Sequence, residues 1–377
     1  MWEIEKKLEG NPVLALATGA GKSLVIAEIA RRLNRPILII QPTREILQQN
    51  LEKLLHYVDR SEVGVYSAAM NEKTIGKYTL ATIQSIYTKP EEFAHFGLVI
   101  VDECHLLNPK DTGSMFQSFL NEIGKPKVIG LTATPWRMDS MYVPDGFGGF
   151  ARVTTTKVIT RMKGMFWKRI LINVTMEDLI QQGYLLQPRY FNNATISHKD
   201  IPMNKSRSDF DVEAYELLVQ RDEHKVLDAV SRAQEISKSV LVFCTSVEQS
   251  ERFASVVSGS RSVSAKTNVK ERRAIVEGFK SHSIKTVFNV GCFTTGFDHP
   301  ALDCIVLNRP TQSIGLYTQM VGRGVRIAEG KVECKVIDFT GTVKALGRVE
   351  TIKVAKRDKW ELESETGSWH CKELYRF

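Results

Sequence analysis

The chain has 377 residues and a formal net charge of +8, and this length exceeds the size at which one hydrophobic core keeps growing, so two domains are expected. No apolar run approaches the roughly 18 residues of a membrane-spanning helix, and the six cysteines form no C-x-x-C pair. The composition therefore excludes a membrane protein and a disulfide framework, and favours a cytoplasmic protein with reduced thiols and a polyanionic partner.

Short apolar runs alternate with helical periodicity through the first half of the chain, which is typical of a parallel α/β domain. The predicted strands are residues 13–17, 36–40, 79–82, 98–101 and 128–131. The predicted helices are residues 23–33 and 44–57.

The turn after the first predicted strand, residues 16–23, reads L-A-T-G-A-G-K-S. Glycines allow successive backbone amides to turn inward onto a phosphate, and the helix that follows presents its positive N-terminal end. Lys22 would neutralise the β- and γ-phosphate oxygens, and the hydroxyl of Ser23 would hold Mg²⁺. The candidate ATP-binding residues of this turn are Thr18, Gly19, Ala20, Gly21, Lys22 and Ser23.

Two carboxylates follow the predicted strand 98–101, at the edge of a parallel sheet where such folds bind ligands. We predict that Asp102 coordinates Mg²⁺ and that Glu103 polarises the attacking water. His105 would sense the γ-phosphate from the next turn. These three residues and Lys22 are the catalytic candidates of the first domain.

Residues 138–208 are predicted to be an irregular, basic excursion from the first domain and a connection to the second. Phe166 and Trp167 lie here among lysines and arginines, and they either stack on bases or pack onto the first domain; both readings stay open. Residues 209–229 are predicted to form a helix whose apolar side chains Tyr215, Leu217 and Leu218 pack inward.

The α/β pattern restarts in the second half of the chain and predicts a second parallel α/β domain. Its predicted strands are residues 240–243, 286–290, 304–307 and 334–338. The predicted organisation is a first domain at residues 1–137, an excursion and connection at 138–225, a second domain at 226–345 and a polar tail at 346–377.

Residues 319–326, Q-M-V-G-R-G-V-R, place a glutamine and two arginines on one face of a predicted helix. An arginine delivered from outside the phosphate cradle stabilises the charge that develops in phosphoryl transfer, so Gln319, Arg323 and Arg326 are catalytic candidates. Upstream, the small-residue turn T-T-G-F-D at residues 294–298 would meet a nucleic-acid phosphate through Thr294 and Thr295, while Gly296 and Asp298 face the nucleotide.

The ordered motifs A-T-G-A-G-K-S, Q-P-T-R-E-I-L, D-E-C-H, T-A-T-P, V-F-C-T-S, T-T-G-F-D and Q-M-V-G-R-G-V-R resemble those of superfamily 2 helicases, over roughly residues 12–340. Within that superfamily, the chain is most similar to bacterial RadD-type repair ATPases and related phage helicases. The resemblance implies two RecA-like parallel-sheet domains in tandem with an interdomain cleft, and ATP and Mg²⁺ as cofactors.

The resemblance also assigns residues that neither composition nor spacing identifies. Thr132, Ala133 and Thr134 would couple hydrolysis to domain movement. The nucleic-acid backbone would be contacted by Pro42, Thr43, Arg44, Thr82, Gln84, Ser85 and Thr245, together with the two threonines of the T-T-G-F-D turn.

The chain departs from the family pattern in two places. Only eleven residues precede Pro12, and they contain no clear counterpart of the glutamine that reads adenine, which leaves adenine selectivity open. RadD-type proteins continue into a zinc ribbon, whereas this sequence ends at Phe377 with Cys371 unpaired, so we predict no structural zinc.

The sequence thus predicts a monomeric, ATP-driven helicase or translocase that acts in DNA repair, recombination or replication. DNA, whether single-stranded, forked or branched, is favoured because the resemblance is to repair enzymes, and RNA stays an alternative; repair or replication proteins are candidate partners. A nucleic-acid-stimulated ATP switch that does not separate strands and a small-molecule kinase are the competing interpretations.

Overall fold

The computed structural model describes residues 9–107, 114–144, 149–162, 166–293 and 297–368. Contacts divide the chain into two compact units. The first comprises Met1–Arg137, Lys157–Thr175 and Lys356–Trp360, and the second comprises Met138–Thr156, Met176–Ala355 and Glu361–Phe377. Residues 138–225, predicted as one excursion and connection, are thus divided between the two units.

The first unit is built on an eight-stranded sheet in the order β10-β1-β7-β6-β2-β5-β3-β4. Its strands are β1 (Pro12–Leu16), β2 (Ile37–Gln41), β3 (Val63–Ser67), β4 (Glu72–Lys73), β5 (Tyr78–Thr82), β6 (Leu98–Val101), β7 (Lys127–Thr132) and β10 (Arg169–Val174). Strands β8 (Trp136–Pro144) and β9 (Phe150–Val158) form a separate two-stranded sheet, most of which belongs to the second unit. The helices are α1 (Lys22–Leu33), α2 (Arg44–Leu54), α3 (Ile83–Ile86) and α4 (Met115–Glu122). Every strand pairing in this sheet is parallel except that of β4 with β3.

The central strands of this sheet are buried on both faces, which explains why they read as continuous apolar runs rather than as alternating patterns. Helix α1 buries Ile26, Ala27 and Ala30 in the same core. Helix α2 begins where the Thr43 hydroxyl accepts a hydrogen bond from the Ile46 amide.

The second unit contains a six-stranded, all-parallel sheet in the order β11-β16-β15-β12-β14-β13. Its strands are β11 (Pro188–Asn192), β12 (Val240–Phe243), β13 (Ser260–Val263), β14 (Thr286–Asn289), β15 (Cys304–Leu307) and β16 (Cys334–Asp338); β17 (Lys353–Lys356), β18 (Trp360–Ser364) and β19 (Gly367–Ser368) form a separate sheet. The helices are α5 (Met176–Gln181), α6 (Val212–Val219), α7 (Glu223–Ile236), α8 (Val247–Val256), α9 (Val269–Lys280), α10 (Ile314–Gly322) and α11 (Thr342–Leu346).

The predicted α/β class with two parallel sheets is confirmed, and nearly all predicted strands lie within one residue of the observed ones. The prediction that residues 138–208 are irregular is wrong. They contain β10, which pairs with β1, and β11, which pairs with β16. Both strands lie at the ends of their sheets, where one side has no strand neighbour and the apolar signal is weaker. No helix in the described part of the chain is long and apolar enough to cross a membrane.

The single helix predicted for residues 209–229 is two helices, α6 and α7, separated by a 3₁₀ turn at Gln220–Asp222. The Asp211 side chain caps α6 by accepting hydrogen bonds from two backbone amides. Tyr215 is fully buried as predicted, but Leu217 and Leu218 are 73% and 51% exposed. The inward packing predicted for these two leucines is therefore wrong. Helix α2 likewise ends at Leu54 rather than at residue 57.

Trp167 packs into the first unit rather than presenting its ring to solvent. Its side chain is 1% exposed, lies beneath Gly130 of β7, and meets Phe166 edge to face with ring centroids 4.9 Å apart. Phe166 in turn contacts Phe116 of α4. Of the two interpretations of this aromatic pair, the structure supports packing.

Gly130 leaves room for this packing, which generates a stability prediction. A Cβ at residue 130 would lie 2.6 Å from the Cys104 sulfur and 2.8 Å from the Trp167 ring. Because both neighbours are buried, Gly130→Ala should lower the free energy of unfolding by about 1–3 kcal/mol. Denaturant titration measures the change. Gly97→Ala is the matched control, since a Cβ there meets no atom within 4 Å; equal stability of the two variants would contradict the prediction.

Candidate nucleotide-binding and hydrolysis site

Three neighbouring strands bring the predicted nucleotide residues to one edge of the first sheet. β7 lies between β1 and β6. β1 leads into residues 16–23, here called the phosphate turn, and β6 leads into Asp102 and Glu103. All three strands are parallel, so their carboxyl ends meet at the same edge. Residues from distant parts of the sequence therefore converge here.

The phosphate turn has the backbone geometry that its glycines predict. Gly19 and Gly21 have φ angles of 90° and 76°, in the region that side chains disfavour. Helix α1 begins at Lys22 with no side-chain cap and no acidic residue in its first turn. Its first amides and its dipole are therefore available to an anion. Thr18, which is part of this turn, is buried.

Five polar side chains contact one another in series at the same edge of the sheet. Lys22 Nζ lies 3.4 Å from Glu103 Oε1, and Glu103 Oε2 lies 3.3 Å from His105 Nδ1. His105 Nδ1 is also 2.7 Å from Thr132 Oγ1 and 3.4 Å from Thr134 Oγ1. The structure thus links Lys22, predicted to bind phosphate, with the predicted water-polarising carboxylate and two of the predicted coupling residues through direct contacts. Ala133, between those threonines, is buried.

Glu103 has a backbone conformation that is rare for a residue with a side chain, with a φ of 49°. It directs the carboxylate toward Lys22 and His105 and away from solvent. Burial by itself would raise the pKa of Glu103, but the Lys22 ammonium and the His105 ring more than offset it, so the pKa lies below its usual range. Glu103 is therefore a carboxylate at neutral pH, the form that can accept a proton from water.

Asp102 is 5% exposed and is held on both carboxylate oxygens. Its Oδ1 accepts a hydrogen bond from the Glu103 amide at 2.9 Å, and its Oδ2 accepts one from the Asn50 side-chain amide at 2.8 Å. Asn50 lies on α2, is itself buried, and was not among the predicted site residues. No feature of the helical pattern distinguishes it, because its role arises only from the packing of α2 against the end of β6.

The local charges fit a divalent cation at Asp102. Burial and the neighbouring Glu103 carboxylate raise the pKa of Asp102, while Lys22 and Asn50 oppose the shift. The charged carboxylate is thus incompletely balanced by this chain alone, and each of its oxygens keeps a lone pair for a further partner. Oxygen donors of this kind suit Mg²⁺, and the Ser23 hydroxyl, in the first turn of α1, is a further candidate donor.

The predicted nucleic-acid residues of the first unit lie on the next strands along the same edge. β2 ends before Pro42, Thr43 and Arg44, and its neighbour β5 ends at Thr82, in register with Gln41. The Thr82 hydroxyl is 2.9 Å from that of Ser85, which also accepts a hydrogen bond from the Ala68 amide.

Among the predicted nucleic-acid residues of the first unit, Arg44 and Gln84 are exposed. Thr43 is the cap of α2, so part of its hydrogen-bonding capacity is used within the fold. Gln41, at the end of β2, is 1% exposed, and its side-chain amide has no hydrogen-bond partner among the residues that the structure describes. The sheet order therefore separates the nucleotide candidates, on β1, β7 and β6, from the nucleic-acid candidates, on β2 and β5.

In the second unit, the predicted arginines contact the loop that carries Asp298. Helix α10 ends at Gly322, so Gln319 lies on the helix and both arginines follow its last turn. The prediction that all three residues lie on one face of a helix is therefore wrong. Arg326 forms an ion pair with Asp298, and the Arg323 guanidinium donates a hydrogen bond to the Phe297 carbonyl at 2.6 Å. Two predicted nucleotide-site residues, Arg326 and Asp298, are thus paired with each other.

The remaining candidates of the second unit are only partly described. Thr245 is 6% exposed, and its hydroxyl contacts Glu216 Oε2 at 2.7 Å and Gln249 Oε1 at 2.9 Å, so its side chain is engaged within the unit. Thr294, Thr295 and Gly296 lie outside the described residues.

Comparisons with known proteins relate the chain to helicases and to restriction-enzyme subunits. Residues 2–137 match the family described as "Type III restriction enzyme, res subunit", and residues 222–328 match "Helicase conserved C-terminal domain". The "Putative mitochondrial ATP-dependent helicase irc3" of Schizosaccharomyces pombe is 26% identical over 352 residues, which cover 88% of this chain and 54% of the relative. The EcoAI endonuclease subunit of an Escherichia coli type I restriction enzyme is 24% identical and covers 88% of this chain and 44% of the relative.

A solved structure shows the same fold. A fragment assigned to the HsdR subunit of a type I restriction enzyme from Vibrio vulnificus has a TM-score of 0.65 at 19% identity, covering 90% of this chain and 62% of that one. The present chain spans about half the length of the curated relatives that it matches. These matches establish a helicase-like relationship but do not confirm a specific closeness to RadD-type enzymes.

The position of Glu103 generates a prediction about hydrolysis. Glu103→Gln keeps the size of the side chain but removes its negative charge, so ATP should bind with near-normal affinity while turnover falls at least a hundredfold. Equilibrium binding and steady-state hydrolysis measure the two effects. Glu91→Gln, at an exposed position, is the control and should leave both unchanged. Normal turnover in Glu103→Gln would exclude Glu103 as the group that polarises water.

Proposed function

We propose that this chain, a helicase-like protein of superfamily 2 with two matched helicase-type domains, couples ATP hydrolysis to movement along or separation of nucleic-acid strands. The observation that carries the proposal is the convergence of Lys22, Glu103 and His105 at the carboxyl edge of a parallel sheet, next to an uncapped helix N-terminus. Such an edge binds a nucleotide and positions a general base beside its phosphates.

Each residue of the first unit has a defined task in this proposal. Backbone amides of the phosphate turn and the Lys22 ammonium bind the β- and γ-phosphates of ATP. Ser23 and Asp102 would hold Mg²⁺, which when bound neutralises charge on the phosphate oxygens. Glu103 orients and deprotonates the attacking water, and Asn50 keeps Asp102 in place. Thr132 and Thr134, through His105, would respond to the loss of the γ-phosphate.

Arg323 and Arg326 are proposed to act on the same nucleotide during hydrolysis. Arg326 is paired with Asp298 in this structure, and that pairing stores a guanidinium in an ordered position. Release from Asp298 toward a phosphate would exchange one anionic partner for a more strongly charged one. Guanidinium groups suit this exchange because their planar donors match carboxylate and phosphate alike.

The proposed nucleic-acid partner is DNA, with RNA as the alternative. The restriction-enzyme subunits among the relatives support DNA. We further propose a role in repair, recombination or replication and a RadD-type subgroup, on the strength of the T-T-G-F-D and V-G-R-G-V-R motifs. The net charge of +8 and the exposed Arg44 suit contacts to phosphate, so binding should weaken as salt rises.

Steady-state ATP hydrolysis with Mg²⁺ tests the proposal directly. The protein is assayed alone and with single-stranded, forked and duplex DNA and with RNA of matched length, at low and moderate salt. We expect at least tenfold stimulation by DNA, reduced at moderate salt because phosphate contacts dominate. Stimulation without displacement of a labelled strand would identify a switch or translocase. Hydrolysis that no nucleic acid stimulates would contradict the proposal and favour the kinase interpretation.

Loss of Arg326 should slow hydrolysis by a factor on the order of a thousand, as loss of an arginine finger does. Arg326→Ala is assayed with saturating ATP and the stimulating nucleic acid. Arg273→Ala is the matched control, because Arg273 is an exposed arginine of the same unit, paired with Glu277. Wild-type turnover in Arg326→Ala would exclude the role in hydrolysis proposed for this residue.

A further inference from the structure

Lys331 joins three separate backbone carbonyls in the second unit. Its ammonium nitrogen lies 2.9 Å from the Pro300 carbonyl oxygen and 2.7 Å from that of Arg326, and it also donates to the Gly324 carbonyl. An ammonium group has three N–H donors, and each has one acceptor here. None of the sequence motifs includes this lysine.

The three acceptors belong to the two segments that carry the candidate catalytic side chains. Pro300 lies two residues after Asp298, in residues 297–300, here called the Asp298 loop. Gly324 and Arg326 lie in residues 323–327, here called the arginine segment. Lys331 is therefore a third link between these segments, beside the Arg326–Asp298 ion pair and the hydrogen bond from Arg323 to the Phe297 carbonyl. The other two links use the side chains of Arg323, Arg326 and Asp298, which are themselves candidate site residues. The link through Lys331 uses none of these side chains.

The position of the arginine segment explains why a cation is needed there. Helix α10 ends at Gly322, so the carbonyls of Gly324 and Arg326 lie beyond the helix and have no intrahelical partner. The Lys331 ammonium supplies donors and charge to both of them. A side chain of similar length without donors would remove these three hydrogen bonds.

Close packing fixes the segment from its other side. A Cβ on Gly324 would collide with the Cys334 sulfur and lie 2.8 Å from Ile305 Cδ1, so the backbone at residue 324 lies directly on strands β15 and β16. The Leu186 amide also donates to the Val325 carbonyl at 2.8 Å. The sheet thus fixes the position of the arginine segment relative to β15 and β16. Lys331 fixes the position of the same segment relative to the Asp298 loop.

We propose that Lys331 is a positioning residue for hydrolysis: by holding the carbonyls of Pro300, Gly324 and Arg326 together, it fixes the backbone that carries the two arginines against the loop that carries Asp298. This inference rests on the proposed function, because it assumes that the arginines act on ATP. Lys331 itself touches no reacting atom. Its loss should affect the rate of hydrolysis rather than the affinity for ATP.

The protonation of Lys331 gives the inference a pH signature. Arg326, Asp303, Cys334 and His299 surround the ammonium, and burial lowers the pKa of Lys331 to about 8. Above pH 8 the neutral amine has only two N–H donors for three carbonyls, so kcat should decline. Because the pKa is lower in the folded than in the unfolded chain, deprotonation does not destabilise the fold, and the decline would not reflect unfolding.

The test compares Lys331→Met with wild type in nucleic-acid-stimulated ATP hydrolysis between pH 7 and 9.5. We expect kcat at pH 7.5 to fall at least tenfold with KM for ATP changed by less than about twofold, and we expect the wild-type decline above pH 8 to be absent from the variant. Lys335→Met is the control, because Lys335 lies in the same part of the unit and pairs with Glu333. It should behave as wild type.

Hydrogen exchange supplies a readout that does not depend on activity. In Lys331→Met, the amides of residues 323–327 should exchange faster, while those of the central strands β12 and β15 stay unchanged. Unchanged exchange in residues 323–327, or kcat within twofold of wild type, would overturn the inference. If Lys331→Met unfolds, the wild-type pH profile decides, and a flat kcat from pH 8 to 9.5 overturns it. A wild-type protein without ATP hydrolysis would refute the proposed function instead, and exchange would still report on the link.

Discussion

The candidate site depends on the parallel alignment of β1, β7 and β6. Parallel strands share one carboxyl edge, and this single constraint brings Lys22, Glu103 and His105 together although more than eighty residues separate the first from the other two. If another strand lay between β1 and β6 in place of β7, His105 would lose its contact with the Thr132 hydroxyl. The same sheet order places the predicted nucleic-acid residues on the adjoining strands β2 and β5. The candidate nucleotide residues and the candidate nucleic-acid residues are therefore neighbours on one edge of the sheet.

Electrostatics gives the two acidic residues different roles. Asp102 and Glu103 are adjacent in sequence and both lie away from solvent, yet one pKa rises and the other falls. Burial raises both pKa values, but the Lys22 ammonium and the His105 ring more than offset it at Glu103, whereas the Glu103 carboxylate adds to it at Asp102. A carboxylate that stays charged suits a general base, and one whose charge is unbalanced suits a cation ligand. In the second unit, cationic groups have the complementary role: Arg326 meets Asp298, and Lys331 binds backbone carbonyls around it.

Much of the fold was predictable from sequence because buried parallel strands are continuous apolar runs. Strands β12, β15 and β16 were predicted with the observed bounds. Several strands were missed, among them β3 and β10: β3 is interrupted by Gly64, whose backbone lies against that of Gly76, and β10, at the end of its sheet, has one buried residue, Ile170. Leu217 and Leu218 were assigned to an apolar face that the structure leaves exposed. Periodicity identifies a helix, but it does not say which face a neighbour covers.

The sequence by itself determined the two parallel α/β units, the phosphate turn and the identities of the acidic and arginine residues. These depend on local chemistry: glycines permit the turn, apolar runs make the strands, and fixed spacing keeps Arg323 and Arg326 three residues apart. Tertiary structure alone decided that Asn50 holds Asp102, that His105 meets Thr132, and that Lys331 links the Asp298 loop to the arginine segment. Such contacts join side chains to groups far away in sequence, and their partners are set by strand order and helix packing, which no local pattern encodes.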